Sequence, residues 1–211
     1  MSPLAELLPR LLAGMVVNFE IAAVALLLGF ALGFLLAAVL LYGGTVGAMA
    51  ATAIALMRAA PTFVVMFFLV NAIPHDAEVF GIPFELSGVM TVALSLVPYA
   101  AAYVADSGLA ALQQMRGGEP LGALLFLPNL MRAFFVMVMS SGAAAAIGVT
   151  EGISVILREA EHVPSFGGRL VLFAIGIVCF GIPLQAGLAA VRHIQGRLSV
   201  MLLRRHQTGA S

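Results

Sequence analysis

The sequence predicts an all-α integral membrane protein with about five transmembrane helices. Hydrophobic residues make up 62% of the 211 residues, charged residues only 9%, and the mean hydropathy is +1.10. Soluble domains carry roughly 25% charged residues, so this composition excludes an ordinary soluble fold. Because each helical span needs about 20 apolar residues, the chain has room for five or six spans and for no large soluble catalytic domain.

Five long apolar segments are the predicted spans of a single transmembrane domain over residues 1–211. Their approximate bounds are residues 15–42, 48–71, 87–112, 131–149 and 169–191. An amphipathic helix at the membrane surface is expected over residues 1–14, and the second span is expected to kink near Pro61. Gly29 and Gly33 have the spacing of small residues that lets a neighbouring helix approach closely.

The polar segments lie between and after these spans. Residues 73–86 are expected to form an acidic loop, and residues 150–161 a short polar-ended helix. The chain closes in an amphipathic tail that carries Arg192, Arg197, Arg204 and Arg205.

Residues 101–132 are the one long departure from apolar helix in the middle of the chain, and residues 113–130 within them lie between the third and fourth predicted spans. A helix cannot run unbroken through Gly117-Gly118 followed by Pro120, so the backbone must turn here and leave polar groups for water or another protein. We call residues 113–130 the elbow. It is predicted to lie on the solvent side of the membrane and to contact a partner.

Arginine placement predicts the orientation. With five spans, the elbow and the tail share one side with six arginines, whereas the other side receives three arginines and most of the acids. The positive-inside rule then places the elbow and the C-terminus in the cytoplasm and the N-terminus outside.

Several motifs, in their order and spacing, carry a resemblance to a known family. Residues 57–74, MRAAPTFVVMFFLVNAIP, resemble the second-span signature of polar amino acid ABC importer permeases of the histidine and glutamine type. Residues 94–96 (LSL), 102–106 (AYVAD) and 147–151 (IGVTE) resemble further stretches of that family. The similarity extends from about Leu11 to Leu198. It implies a type I ABC importer permease fold and a multi-pass protein of the bacterial cytoplasmic membrane.

In this family the loop between spans three and four carries an EAA motif whose short helix docks on the cytoplasmic ATPase. Gly118-Glu119 resembles the GQ before that motif, or Glu119 and Gly122 are remnants of EAA and its glycine; Leu127-Pro128 resembles its Leu-Pro. In either alignment with the motif, about ten residues of the docking loop are missing. The resemblance implies ATPase coupling through Arg116, Gly118, Glu119, Pro120, Leu121, Gly122, Leu127 and Pro128.

Other departures concern coupling and substrate contact. Leu109 replaces an expected arginine, and residues 139–143 (MSSGA) replace the common KDTSL. A divergent half of a heterodimeric permease is therefore expected, with a second permease subunit supplying a complete docking loop. The resemblance implies a cytoplasmic ABC ATPase dimer, an extracytoplasmic substrate-binding protein and a polar amino acid or related small solute. The alternative is a structural or regulatory membrane partner with weak or no ATPase coupling.

Arg58 and Asp106 are ionisable groups at similar heights in two predicted spans. Charges in a span are costly and usually face protein or water, so the two side chains are candidates for an ion pair. The alternative is that Arg58 extends to the lipid headgroups and that Asp106 lies near the water line.

Glu20 and Glu151 fall in the predicted outer half of the membrane and are candidates for the substrate path. Two carboxylates in a cavity would favour an ammonium or guanidinium group. The alternatives are that Glu20 hydrogen-bonds a neighbouring helix and that Glu151 caps the short helix after it, where negative charge complements the helix dipole.

The remaining motifs give no sign of catalysis on this chain. The four histidines lack helical ligand spacing, so no metal site is expected. No GxxxxGK[ST] motif occurs, so this chain is not expected to bind ATP by that route. The resemblance implies ATP and Mg²⁺ on the partner ATPase. No cofactor on this chain and no nucleic-acid partner are expected.

Overall fold

The computed structural model describes residues 3–73, 78–79, 82–83, 86–118 and 120–208. Among the described residues the regular elements are helices and one short antiparallel pair, in which β1 (Glu78–Val79) pairs with β2 (Ile82–Pro83). A 3-10 helix spans Ser141–Ile147. The α-helices are α1 (Pro3–Tyr42), α2 (Gly44–Ala59), α3 (Thr62–Ala72), α4 (Gly88–Arg116), α5 (Pro120–Ala123), α6 (Phe126–Ser140), α7 (Gly152–Glu161) and α8 (Phe166–Thr208).

Among the described residues, four helical segments are long and apolar enough to cross a membrane, or five if α2 and α3 form one span. Helices α2 and α3 are bent by 93° at Ala60 and Pro61. The kink expected near Pro61 is therefore a sharp corner. Proline has no N–H and disfavours helical backbone in the residue before it, and Ala60 accordingly has extended backbone angles.

Helix α1 begins well before the predicted first span. Residues 1–14 were expected to form a separate helix at the membrane surface, but α1 runs unbroken from Pro3 to Tyr42. Leu7, Leu11 and Met15 are all buried, and their four-residue spacing puts them on one face of the helix. Packing of this face against the core explains why the first turns continue the span.

The core is centred on α1 and α4, which run parallel. A Cβ atom at Gly29 would lie 2.3 Å from the Ala100 Cβ atom, and one at Gly33 would lie 2.4 Å from the Ala101 carbonyl oxygen. Further along, Gly108 faces Ala37. The close approach predicted from the spacing of Gly29 and Gly33 is thus to α4.

The second half of the chain returns twice across the bundle. The predicted fourth span, residues 131–149, is α6 followed by the tighter 3-10 helix, which ends at Gly148 with φ of 83°. Helix α8 then runs antiparallel to α6: Gly176 lies against Ile156 of α7, and Gly187 lies against Met131 near the start of α6. Its 43 residues join the predicted fifth span and the tail in one helix.

Part of the expected acidic loop is outside the described residues. Positions 74–77, 80–81 and 84–85 fall in this group, including Asp76 and Glu85. The described part of residues 73–86 holds the β1–β2 pair.

Candidate functional site

The elbow is a sharp reversal between α4 and α6. Helix α4 ends at Arg116, Gly117 keeps a helical φ of −73°, and Gly118 has φ of 81°, which favours glycine. Four residues form α5, and α6 begins at Phe126. The Gly-Gly pair and the following proline therefore turn the chain within a few residues.

One side of the elbow is exposed and largely apolar. Met115 is 59% exposed, Leu121 38% and Leu125 55%, and Arg116 is exposed beside them. We call these four residues the coupling surface. Apolar side chains next to an arginine are typical of the contact residues at protein–protein interfaces.

Most of the other predicted coupling residues pack beneath this surface, and one lies outside the described residues. Pro128 is buried and Leu127 is half-buried. A Cβ atom at Gly122 would lie 2.6 Å from Gln114 Oε1, so α5 packs closely on the last turns of α4. Pro120 is the first residue of α5, and Glu119 lies outside the described residues.

A buried polar cluster lies at the opposite end of the bundle. Asn18 Nδ2 donates to Ser141 Oγ at 2.8 Å and to Glu151 Oε2 at 2.7 Å, and the Gly152 N–H donates to Asn18 Oδ1 at 2.8 Å. Asn18, Ser141 and Glu151 are each fully buried. The cluster joins α1, the 3-10 helix and α7.

Glu151 is the N-cap of α7. Its carboxylate accepts from the N–H groups of Ile153 at 2.7 Å and Ser154 at 2.6 Å, and the Ser154 hydroxyl accepts from the Glu151 N–H at 3.0 Å. This reciprocal arrangement is a capping box. Both carboxylate oxygens are thus hydrogen-bonded inside the protein, which is the capping alternative considered for this residue.

Glu20 has a different environment from Glu151. It is exposed on α1, whereas Asn18 faces the buried cluster. At about 100° per residue, Glu20 projects roughly 200° around the helix from Asn18. The structure therefore does not bring Glu20 and Glu151 together on one surface.

Arg58 and Asp106 form an ion pair between α2 and α4. Arg58 Nη2 lies 2.5 Å from Asp106 Oδ2. In the isolated chain the two side chains are 60% and 53% exposed. A second ion pair, between Arg10 and Glu159 at 2.9 Å, joins α1 to α7 at the other end of the bundle.

Asn18 and the role of Ser141 were not predicted from the sequence. Asn18 stands in an apolar stretch in which Glu20 is the nearest charge, and an uncharged amide carries no signal in a search for ionisable groups. The signal that could have found it is an amide within an apolar span, because a buried amide must find hydrogen-bond partners inside the bundle.

Comparison with known proteins identifies the fold. No family model and no curated protein matches the sequence. A chain in the crystal structure of an amino acid ABC transporter with histidines superposes with a TM-score of 0.69 and 18% sequence identity; the match covers 92% of this chain and 96% of that chain. The predicted fold class is confirmed: this is an all-α, multi-pass membrane protein with the fold of that transporter chain.

Proposed function

We propose that the chain is the transmembrane permease subunit of an ATP-driven ABC importer for a polar amino acid or a related small solute. The observation that carries this proposal is the coupling surface, an exposed apolar and basic turn within a permease fold. A turn rigidly joined to α4 and α6 can transmit movement of a bound ATPase to two spans at once. ATP and Mg²⁺ bind to that ATPase, and we assign no catalytic role to the residues of this chain.

The proposed orientation puts the coupling surface and the C-terminus in the cytoplasm and the N-terminus outside the bacterial cytoplasmic membrane. The packing supports this arrangement, because α1 and α4 run parallel and α8 runs antiparallel to α6. The N-terminal end of α1 lies beside α7, so both are expected on the same side of the membrane. The substrate-binding protein approaches from that outer side.

The solute proposal rests on Glu20 more than on Glu151. Glu20 is an exposed carboxylate on a span, and such a group is stable in a membrane only if it faces a water-filled path or another chain. A path beside Glu20 would favour solutes with an ammonium or guanidinium group. Glu151 contributes to the path indirectly, by fixing α7 against α1.

A second permease subunit completes the proposed importer. The short α5, with four residues, supports a heterodimer in which the partner supplies a longer docking loop. The same feature favours a second candidate function, a structural or regulatory subunit that keeps the fold but couples weakly to ATP hydrolysis.

Site-directed cross-linking tests the proposal. In a Cys179→Ser background, a cysteine at Leu121 is expected to cross-link to a co-purifying ATPase subunit. Leu170 is 50% exposed near the start of α8, at the end of the bundle opposite the elbow. A cysteine there is the matched control and should give no such product. ATPase cross-linking together with ATP-dependent solute uptake supports the importer. A cross-link without uptake favours a subunit that couples only weakly to the ATPase. The absence of any ATPase product contradicts the importer and favours the structural or regulatory subunit.

Purification of the complex tests the heterodimer separately. The proposal expects two different permease chains for each ATPase dimer. A functional complex with two copies of this chain alone would contradict it.

A further inference from the structure

A groove runs along α8 on the side that faces α6 and α7. One part of it is a cavity of about 380 Å³ whose lining is entirely apolar side chains and glycine, including Met139, Phe173 and Leu184. A second cavity of about 630 Å³ lies at the α7–α8 turn. Leu157 and Phe173 line both, so the two cavities form one surface, which we call the α8 groove.

The apolar part of the α8 groove is about as long, measured along the axis of α8, as one membrane leaflet is thick. From Phe173 to Leu184 the helix rises about 16 Å, at ~1.5 Å per residue. The hydrocarbon core of a bilayer is about 30 Å thick, so one leaflet contributes roughly half of this.

The rim of the α8 groove carries one cation and one anion. Arg169 and Glu161 both line the cavity at the α7–α8 turn, and both are exposed. Arg169 Nε donates to the Val163 carbonyl oxygen at 2.8 Å, which holds the guanidinium group at the rim. Phe166 is 77% exposed beside them.

We propose that the α8 groove binds one phospholipid whose headgroup carries both a phosphate and a primary ammonium group. An acyl chain fills the apolar cavity, the phosphate binds to Arg169, and the ammonium group binds to Glu161. Guanidinium groups bind phosphate through paired hydrogen bonds. A headgroup with negative charge alone would leave Glu161 facing an anion, so the paired rim charges favour the zwitterion. This proposal requires membrane insertion and does not depend on coupling to an ATPase.

Lipid retention measures the proposed selectivity. The full chain, purified and delipidated in detergent, is offered phosphatidylethanolamine, phosphatidylglycerol or phosphatidylcholine with identical acyl chains, and bound lipid is counted by native mass spectrometry. One phosphatidylethanolamine is expected to be retained in preference to the other two. Because a charge-assisted hydrogen bond contributes about 1.5–3 kcal/mol, Arg169→Gln should weaken this retention about tenfold or more. Glu161→Gln should reduce the preference over phosphatidylglycerol about tenfold.

A groove-filling variant tests the acyl-chain site without touching the charges. A Cβ atom at Gly181 would meet no neighbouring atom within 4 Å although Gly181 lines the cavity, so Gly181→Leu should fill the groove and abolish retention. Gly196 also has open space at its Cβ position and lies outside the α8 groove, so Gly196→Leu is the matched control. Arg197→Gln is the matched charge control.

Three results would overturn the proposal. The first is equal retention of the three lipids by the native chain. The second is wild-type retention by Arg169→Gln and Gly181→Leu. The third is a change in oligomeric state on Gly181→Leu with lipid retention unaltered, which would show that a second protein chain occupies the groove.

Discussion

Asn18 and Glu151 are 133 residues apart in the chain, yet the side-chain amide of Asn18 hydrogen-bonds both the N-cap carboxylate and the first backbone N–H of α7. Asn18 donates to the Glu151 carboxylate at 2.7 Å and accepts from the Gly152 N–H at 2.8 Å. Both side chains are fully buried. Helix α7 is therefore fixed to α1 by hydrogen bonds that are buried inside the protein.

Asn18→Leu should destabilise the chain by about 3 kcal/mol. The substitution leaves a buried carboxylate without one donor and the Gly152 N–H without its acceptor, and unsatisfied buried groups cost about 1–3 kcal/mol each. Thermal unfolding in detergent measures the change. Asn71→Leu is the control, because Asn71 is exposed and donates only to the Phe67 carbonyl oxygen of its own helix. Equal unfolding temperatures for the two variants would contradict the prediction.

Glutamine substitutions should separate the roles of Glu20 and Glu151. Glu151→Gln replaces an acceptor with an NH₂ group that faces N–H donors, so it should lower stability by about 1–3 kcal/mol and leave the solute preference unchanged. Glu20→Gln should leave stability unchanged and reduce uptake of cationic solutes more than that of neutral ones. Unfolding in detergent and uptake into proteoliposomes measure the two effects. Uptake that survives both substitutions would remove these residues from the substrate path.

Local chemistry made several features predictable from the sequence. Gly117-Gly118 followed by Pro120 reverses the chain because a helix cannot continue through these residues. The capping alternative for Glu151 followed from its place before a short helix, and Gly29 and Gly33 indicated a close helix contact. Each of these features depends on a few neighbouring residues.

Features that depend on distant contacts were not predictable. The unbroken start of α1 depends on burial of Leu7 and Leu11 against the core. The Asn18 cluster depends on Ser141 and Glu151, which are more than 120 residues away. The bend at Pro61 was anticipated as a kink, but its size of 93° was not, and both α2 and α3 pack on α4.

Gly118→Ala should impair coupling while leaving the spans intact. Gly118 has φ of 81°, where an L-residue costs about 1–2 kcal/mol, so alanine should shift the elbow and weaken ATPase association up to about tenfold. Pull-down of the ATPase at graded concentrations measures the loss. Gly117→Ala is the matched control, because its φ is −73° and its Cβ atom would meet only the Gln113 and Gln114 carbonyl oxygens at ordinary distances. Similar affinities for both variants would show that the turn geometry does not matter for docking.

Gly33→Ala should destabilise the α1–α4 contact by about 1–3 kcal/mol. The added Cβ atom would lie 2.4 Å from the Ala101 carbonyl oxygen, and backbone can move away only by separating the helices. Gly196→Ala on α8 has open space and should instead stabilise its helix, by up to about 1 kcal/mol. Opposite signs in thermal unfolding are the expected result. A neutral Gly33→Ala would mean that α1 and α4 are packed less tightly than the structure shows.

The Arg58–Asp106 pair should behave as a unit when its charges are exchanged. Both side chains are more than half exposed in the isolated chain, so in water the pair would contribute at most about 1 kcal/mol. At the edge of the hydrocarbon region an unpaired charge costs more than this, so Arg58→Asp and Asp106→Arg should each reduce the yield of assembled complex. Each single variant places two like charges together, which adds repulsion.

The double variant decides between pairing and independent solvation of the two groups. If the ion pair stabilises the contact between α2 and α4, Arg58→Asp combined with Asp106→Arg should recover most of the complex on size-exclusion chromatography. If Arg58 instead extends to the headgroups and Asp106 to water, the two losses should add, because neither charge depends on the other. Additive losses would therefore contradict a stabilising pair even though the two side chains lie in contact.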